Sequence, residues 1–211
     1  MGCSPIKAVR ELGSERSHTA LVYSNVNRVA AYIDEALSKN VLIGNIEGRL
    51  KIMTKFKNLS AEELAYIAGF LDGGGSINAQ IVRRQDYILG FQIRVTVSFF
   101  QSTKRHWFIL KLENLLGVKT SRKRNDNMSE LTLVGVNIVK PFLEKIKPYI
   151  QLKKPQVDTV LEICNKLSRN QSPEEFIKLC KKVDLLEDFN DSKKRSIRAV
   201  DVENYLAGHN N

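Results

Sequence analysis

The 211-residue chain carries 33 Lys and Arg against 23 Asp and Glu, a formal net charge of +10. No apolar run approaches the roughly 18 residues of a membrane-spanning helix, and three scattered cysteines without CxxC spacing argue against a disulfide framework or a zinc site. Such a chain holds one ordinary domain plus extensions, and its basicity favours a polyanionic partner, most simply nucleic acid.

In chain order, residues 1–52 read as an N-terminal extension, 53–167 as the core domain, and 168–211 as a C-terminal helical extension and tail. In the first, Val29, Ala30, Ile33 and Leu37 predict one amphipathic helix over 26–38. Ser60-Ala-Glu-Glu63 is a capping box launching a helix over about 61–72. Leu64, Ile67, Ala68 and Leu71 make its apolar face, with Gly69 beside them. Helix propensity then falls at Asp72-Gly73-Gly74-Gly75.

Two alternating runs follow. Ile77, Ala79 and Ile81 oppose Asn78, Gln80 and Val82. Phe91, Ile93, Val95, Val97 and Phe99 oppose Gln92, Arg94, Thr96 and Ser98. Arg83-Arg84-Gln85-Asp86 is the polar connection between them. A helix capped at Ser102 or Thr103 runs to Leu116, with Trp107, Leu110 and Leu115 on its apolar side and Gly117 ending it. Residues 118–124 and 130–134 form a second hairpin bearing Lys119, Arg122, Lys123 and Arg124. Helices follow over 137–146 and from Pro155, then one opened by the capping box Ser172-Pro-Glu-Glu175. From Asn190 the polar, basic composition predicts a loose tail.

The order helix, two strands, helix, two strands, helix, helix gives an α+β domain: a four-stranded antiparallel sheet with helices on one face. Its other face carries Asn78, Gln80, Arg84, Gln92, Arg94, Thr96, Ser98, Arg122, Arg124 and Thr132. Amide side chains suit adenine edges and guanidinium suits guanine, so a saddle-like sheet of this kind suits a DNA major groove. A nucleotide enzyme does not fit: Gly69 and Gly74 satisfy GxxxxG, but Gly75 stands where a P-loop needs lysine.

Ile67-Ala-Gly-Phe-Leu-Asp-Gly-Gly-Gly75 resembles the nine-residue signature of the LAGLIDADG homing endonucleases. The likeness extends over 53–167, in the single-motif, homodimeric branch. It implies a Mg²⁺-dependent endonuclease acting on a long, nearly palindromic double-stranded DNA target, encoded in an intron of a chloroplast or mitochondrion, chloroplast favoured. It implies motif helices paired on a dimer axis through Leu64, Ile67, Ala68, Gly69 and Leu71. Position by position, the acidic metal ligand maps to Gly74 and the assisting carbonyl to Gly73. The solvent-positioning glutamine maps to Gln101 with Arg105 near it, and the phosphate-side lysine to Lys153. Gly74 supplies no carboxylate. Asp72 lies roughly 200° around the helix from it, which points to a structural role. The expectation is a DNA binder that cuts very poorly. The alternatives are an RNA-binding splicing cofactor for the intron and a purely protein-interacting domain.

Overall fold

The capping box at Ser60 is formed. The Glu63 amide donates to the Ser60 hydroxyl at 3.2 Å and the Ser60 amide to the Glu63 carboxylate at 2.9 Å. It starts α1, Ala61–Gly74, two residues longer than the sequence predicts, because Gly73 and Gly74 keep helical geometry despite their low propensity. The computed structural model describes residues 56, 58–168, 170–189 and 196–209, all within a compact unit covering 49–211. The helix expected over 26–38 lies outside the described residues.

From α1 the chain enters β1 (Gly75–Arg83) and returns through β2 (Phe91–Ser102). A 3₁₀ turn, Thr103–Arg105, leads into α2 (His106–Leu116). Gly117 ends α2 in the left-handed region at φ 70°, which suits glycine because it has no Cβ. Then come β3 (Ser121–Lys123), β4 (Met128–Val134) and α3 (Val136–Ile146). A second 3₁₀ turn, Lys147–Tyr149, precedes α4 (Lys154–Lys166), α5 (Pro173–Leu185) and α6 (Ala199–His209). The four strands are antiparallel in the order β1-β2-β4-β3.

Period-two alternation fixes which side chains meet the helices. Ile77, Ala79, Ile81, Phe91, Ile93, Val95, Val97, Phe99, Leu131 and Leu133 are all at most 4% exposed and form the sheet's inner side. Leu64, Ile67, Ala68 and Leu71 of α1 join them, as do Phe142 and Leu143 of α3 and Val157 and Val160 of α4. The Phe99 ring stacks on Phe70 at 5.9 Å and meets Phe142 edge-on at 6.1 Å. Truncating one such ring costs roughly 3–5 kcal/mol, so this layer sets the height of the sheet under α1.

Two expectations are corrected. The apolar side of α2 is Ile109, Leu112 and Leu116; Trp107 and Leu110 are 64% and 40% exposed. Within the tail expected from Asn190 onward, the described residues 196–209 are ordered. Ala199, Val202 and Leu206, at helical spacing, bury α6. Tyr205 meets Phe91 edge-on at 5.2 Å, with the Arg83 guanidinium 4.9 Å from the Tyr205 ring centre. α5 and α6 lie in the same compact unit as the sheet.

Candidate nucleic-acid interface and helix-end site

The sheet's outer face is built by the same register that buries its inner one. Asn78 pairs with Thr96, Gln80 with Arg94, Val82 with Gln92, and Ser98 lies between Ser76 and Thr132. All ten residues expected on this face belong to the outer side or its hairpins. Their availability differs. Arg94 is exposed, with a guanidinium nitrogen 3.4 Å from the Gln80 amide oxygen. Arg84 is paired with Asp86 at 2.7 Å. Ser98 is only 8% exposed and shares a 2.9 Å hydrogen bond with Thr132.

One acid sits inside this basic face. Glu130 accepts from the Thr132 hydroxyl at 2.6 Å and from Arg122 at 3.0 Å, with Arg124 at 3.5 Å. Burial alone would raise the Glu130 carboxyl, but the hydrogen bonds from Thr132 and Arg122 and the charges of both arginines outweigh it, holding the group below its ordinary value. Sequence reasoning followed positive charge and passed over Glu130, although its two-residue spacing from Thr132 places it on the same face.

At one end of the sheet, α1 runs flush onto β2. A Cβ at Gly75 would meet a Leu71 methyl and would lie 2.9 Å from the Ser98 carbonyl oxygen, so only glycine fits. Gly73 and Gly74 differ: both are exposed, and a Cβ on either meets nothing within 4 Å. Of the three consecutive glycines, the close packing demands one.

Asp72 turns inward. Its carboxylate accepts the Gln151 amide at 2.7 Å, the Leu152 amide at 3.2 Å and the Lys153 amide at 3.0 Å. The Lys153 ammonium donates to the Asp72 main-chain carbonyl. This carboxylate stands at the entry to α4, where negative charge complements the helix dipole. Asp72 is structural, as its angular offset from Gly74 implies. Across the sheet, the Gly75–Phe99 pair sets Gln101 two residues further along, beside the end of α1. Gln101 accepts from Arg105 at 2.9 Å and from the Ser102 amide at 2.9 Å. Main-chain pairing and helix packing thus bring Gly73, Gly74, Gln101, Arg105 and Lys153 to one end of the sheet.

A Mg²⁺ ion takes hard oxygen ligands, usually one or two carboxylates together with phosphate and water. At the end of α1 the carbonyls remain, Gly74 offers no carboxylate, and both Asp72 oxygens are taken by main-chain amides. Among the described residues no three or more His, Cys, Asp and Glu gather as a metal site. The residues present do not fit the ion.

The surface meant to meet a second copy is also revised. Leu64, Ile67, Ala68 and Leu71 are at most 7% exposed within the protomer, because the α1 stripe is used to cover the sheet. Of the five residues expected there, only Gly69 is exposed. The outward side of α1 is instead Ala65, Gly69 and Gly73, at four-residue spacing, with Tyr66. Tyr66 (60% exposed) meets Phe108 at 6.2 Å, and Phe108 meets the exposed Trp107 at 6.0 Å.

A sheet with one polar, basic face, a helix ending at its rim and a lysine-bearing loop tied to that helix define the architecture of a homing endonuclease. The chain belongs to the LAGLIDADG endonuclease family, whose model matches residues 67–164. It is 44% identical over 144 residues to the DNA endonuclease I-CvuI of Chlorella vulgaris, spanning 68% of this chain and 89% of that protein. It is 39% identical over 145 residues to the DNA endonuclease I-CreI of Chlamydomonas reinhardtii, spanning 66% and 88%. A crystal structure of I-CvuI with the I-CreI target, in magnesium and with the DNA not cleaved, superposes with a TM-score of 0.67 over 71% of this chain and 96% of that one. I-CvuI has also been solved with its own target in calcium. The meganuclease I-SmaMI, bound to DNA, shares the fold at 19% identity and a TM-score of 0.50, and this chain spans 43% of its length.

Proposed function

We propose that the protein binds double-stranded DNA site-specifically as a homodimer and cuts it very poorly. The reading rests on one juxtaposition: a basic hydrogen-bonding sheet face, intact, beside a helix end that has lost its carboxylate. Gln80, Gln92 and Arg94 supply amide and guanidinium groups for base edges, while Arg122, held by Glu130, and Arg124, held by Asp126 and Glu130, supply charge for base edge or phosphate. Gly73 and Gly74 stand where metal would be held, and Gln101, Arg105 and Lys153 retain groups able to order water and screen phosphate charge. Without an acidic ligand, divalent metal is held weakly and the hydrolytic step stalls.

The proposed dimer packs α1 against its copy through Ala65, Gly69 and Gly73, flanked by Tyr66, Trp107 and the 75% exposed Leu152. Residues 1–52 are read as an N-terminal extension preceding the core domain. An organelle genome, chloroplast favoured, is the proposed setting. No helix among the described residues is long and apolar enough to cross a membrane.

Gel-shift titrations of duplex DNA selected by the protein from a randomised pool, against the transcript of the intron, test this reading. Tight binding to the selected duplex that weakens steeply with salt is expected. Preference for the intron RNA over that duplex would replace the DNA reading with a splicing one.

A further inference from the structure

We propose that Val134 is a specificity-determining residue that reads the 5-methyl group of a thymine; the inference rests on the DNA-binding reading above. Val134 is the last residue of β4 and points to the outer face with Glu130 and Thr132. Its Cα partner is Thr96, which pairs on its other side with Asn78, so the three form a row across the sheet. Its neighbours in that row carry hydrogen-bonding groups. Val134 carries none and is 43% exposed.

A single exposed apolar residue is common on protein surfaces and by itself means little. Three features set this one apart. It lies within the face presented to the duplex. β3 pairs only with residues 129–131 of β4, so no strand covers the flank of Val134. Its backbone is held on both sides: the Gly135 amide donates to the Val95 carbonyl at 3.0 Å, and α3 starts at Val136. A β-branched side chain on a fixed backbone has few rotamers to lose on binding. Within a major groove the base edges present donors and acceptors apart from the thymine methyl and the small cytosine C5–H, so the methyl is the largest apolar partner available to valine.

The test uses the full chain and the duplex it selects from a randomised pool, with deoxyuridine replacing each thymidine in turn. Uracil keeps the pairing and loses only the methyl. Wild type should lose about fourfold in affinity per half-site at one thymine position, the effect of one buried methyl-sized group. Val134→Ala should lose that penalty at that position alone, with every other uracil effect unchanged. Val134→Thr keeps the β-branch and strand propensity but only one methyl, and should show a reduced penalty there; it decides the matter should the alanine variant fold poorly. Identical uracil profiles for wild type and variants, or a selected site whose base preference ignores position 134, overturn the inference while leaving DNA binding standing. A pool that yields no enriched duplex overturns the DNA reading and this inference with it.

Discussion

Asp72 and Lys153 are joined twice: the Lys153 amide donates to the Asp72 carboxylate at 3.0 Å, and the Lys153 ammonium donates to the Asp72 carbonyl. The sixth residue of the motif thus ties the end of α1 to the loop that carries the lysine. Asp72→Ala leaves three main-chain amides without their acceptor in a site only 9% exposed. It should destabilise the protein by about 3 kcal/mol, since bonds to a charged group contribute roughly 1.5–3 kcal/mol each and are not additive. Lys153→Met removes a single charged bond and should cost less, roughly 1.5 kcal/mol. Urea unfolding midpoints at neutral pH check both; equal losses would mean the single ammonium bond holds the loop as strongly as the three amide bonds to the carboxylate.

Gly69 offers a clean probe of the proposed dimer. Nothing lies within 4 Å of a Cβ placed there, so Gly69→Leu fits the protomer and raises helix propensity by roughly 0.8–1 kcal/mol. The same side chain blocks close approach of a second α1. Sedimentation should show the wild type as a dimer and the variant as a folded monomer, with weaker DNA binding. A variant that stays dimeric at the same concentration places the interface elsewhere.

Glu130→Gln removes the acid carried by the strands of the basic face and frees Arg122, while Arg124 keeps its 2.9 Å ion pair with Asp126. Duplexes of arbitrary sequence should be bound several-fold more tightly, with less discrimination from the selected site, because non-specific affinity follows net phosphate-facing charge. The folded-state carboxyl sits below its ordinary value of 4.5, so its contribution is present above that value and lost as pH falls through the depressed one. The stability gap between wild type and variant should therefore be full at pH 7 and close below the ordinary carboxylate range. Urea titrations across that range read it; a gap independent of pH would mean Glu130 acts by shape alone.

Much of this was readable in the chain. The strict alternation of β2 set the sheet's two faces, and the Ser60 and Ser172 capping boxes set two helix starts. Angular spacing alone separated Asp72 from Gly74. What misled was hydrophobicity read without tertiary context. The apolar stripe of α1 served equally well as an interface or as a core, and only the sheet beneath it decides. Trp107 looked like core because aromatic residues usually are; here α2 turns Ile109, Leu112 and Leu116 inward instead. The α6 helix was hidden by the polar composition around it, although Ala199, Val202 and Leu206 were already at helical spacing.

In the function proposed above, the scaffold is competent and the missing carboxylate at Gly74 limits cleavage. Gly74 lies in helical backbone with open space around its Cβ, so Gly74→Asp introduces the acid without strain. Cleavage of the selected duplex in Mg²⁺, followed for the chain as it stands and for Gly74→Asp, tests this directly. Little or no double-strand cleavage is expected from the first and Mg²⁺-dependent cleavage from the second, with DNA affinity similar for both. Rapid cleavage by the unaltered chain would contradict it.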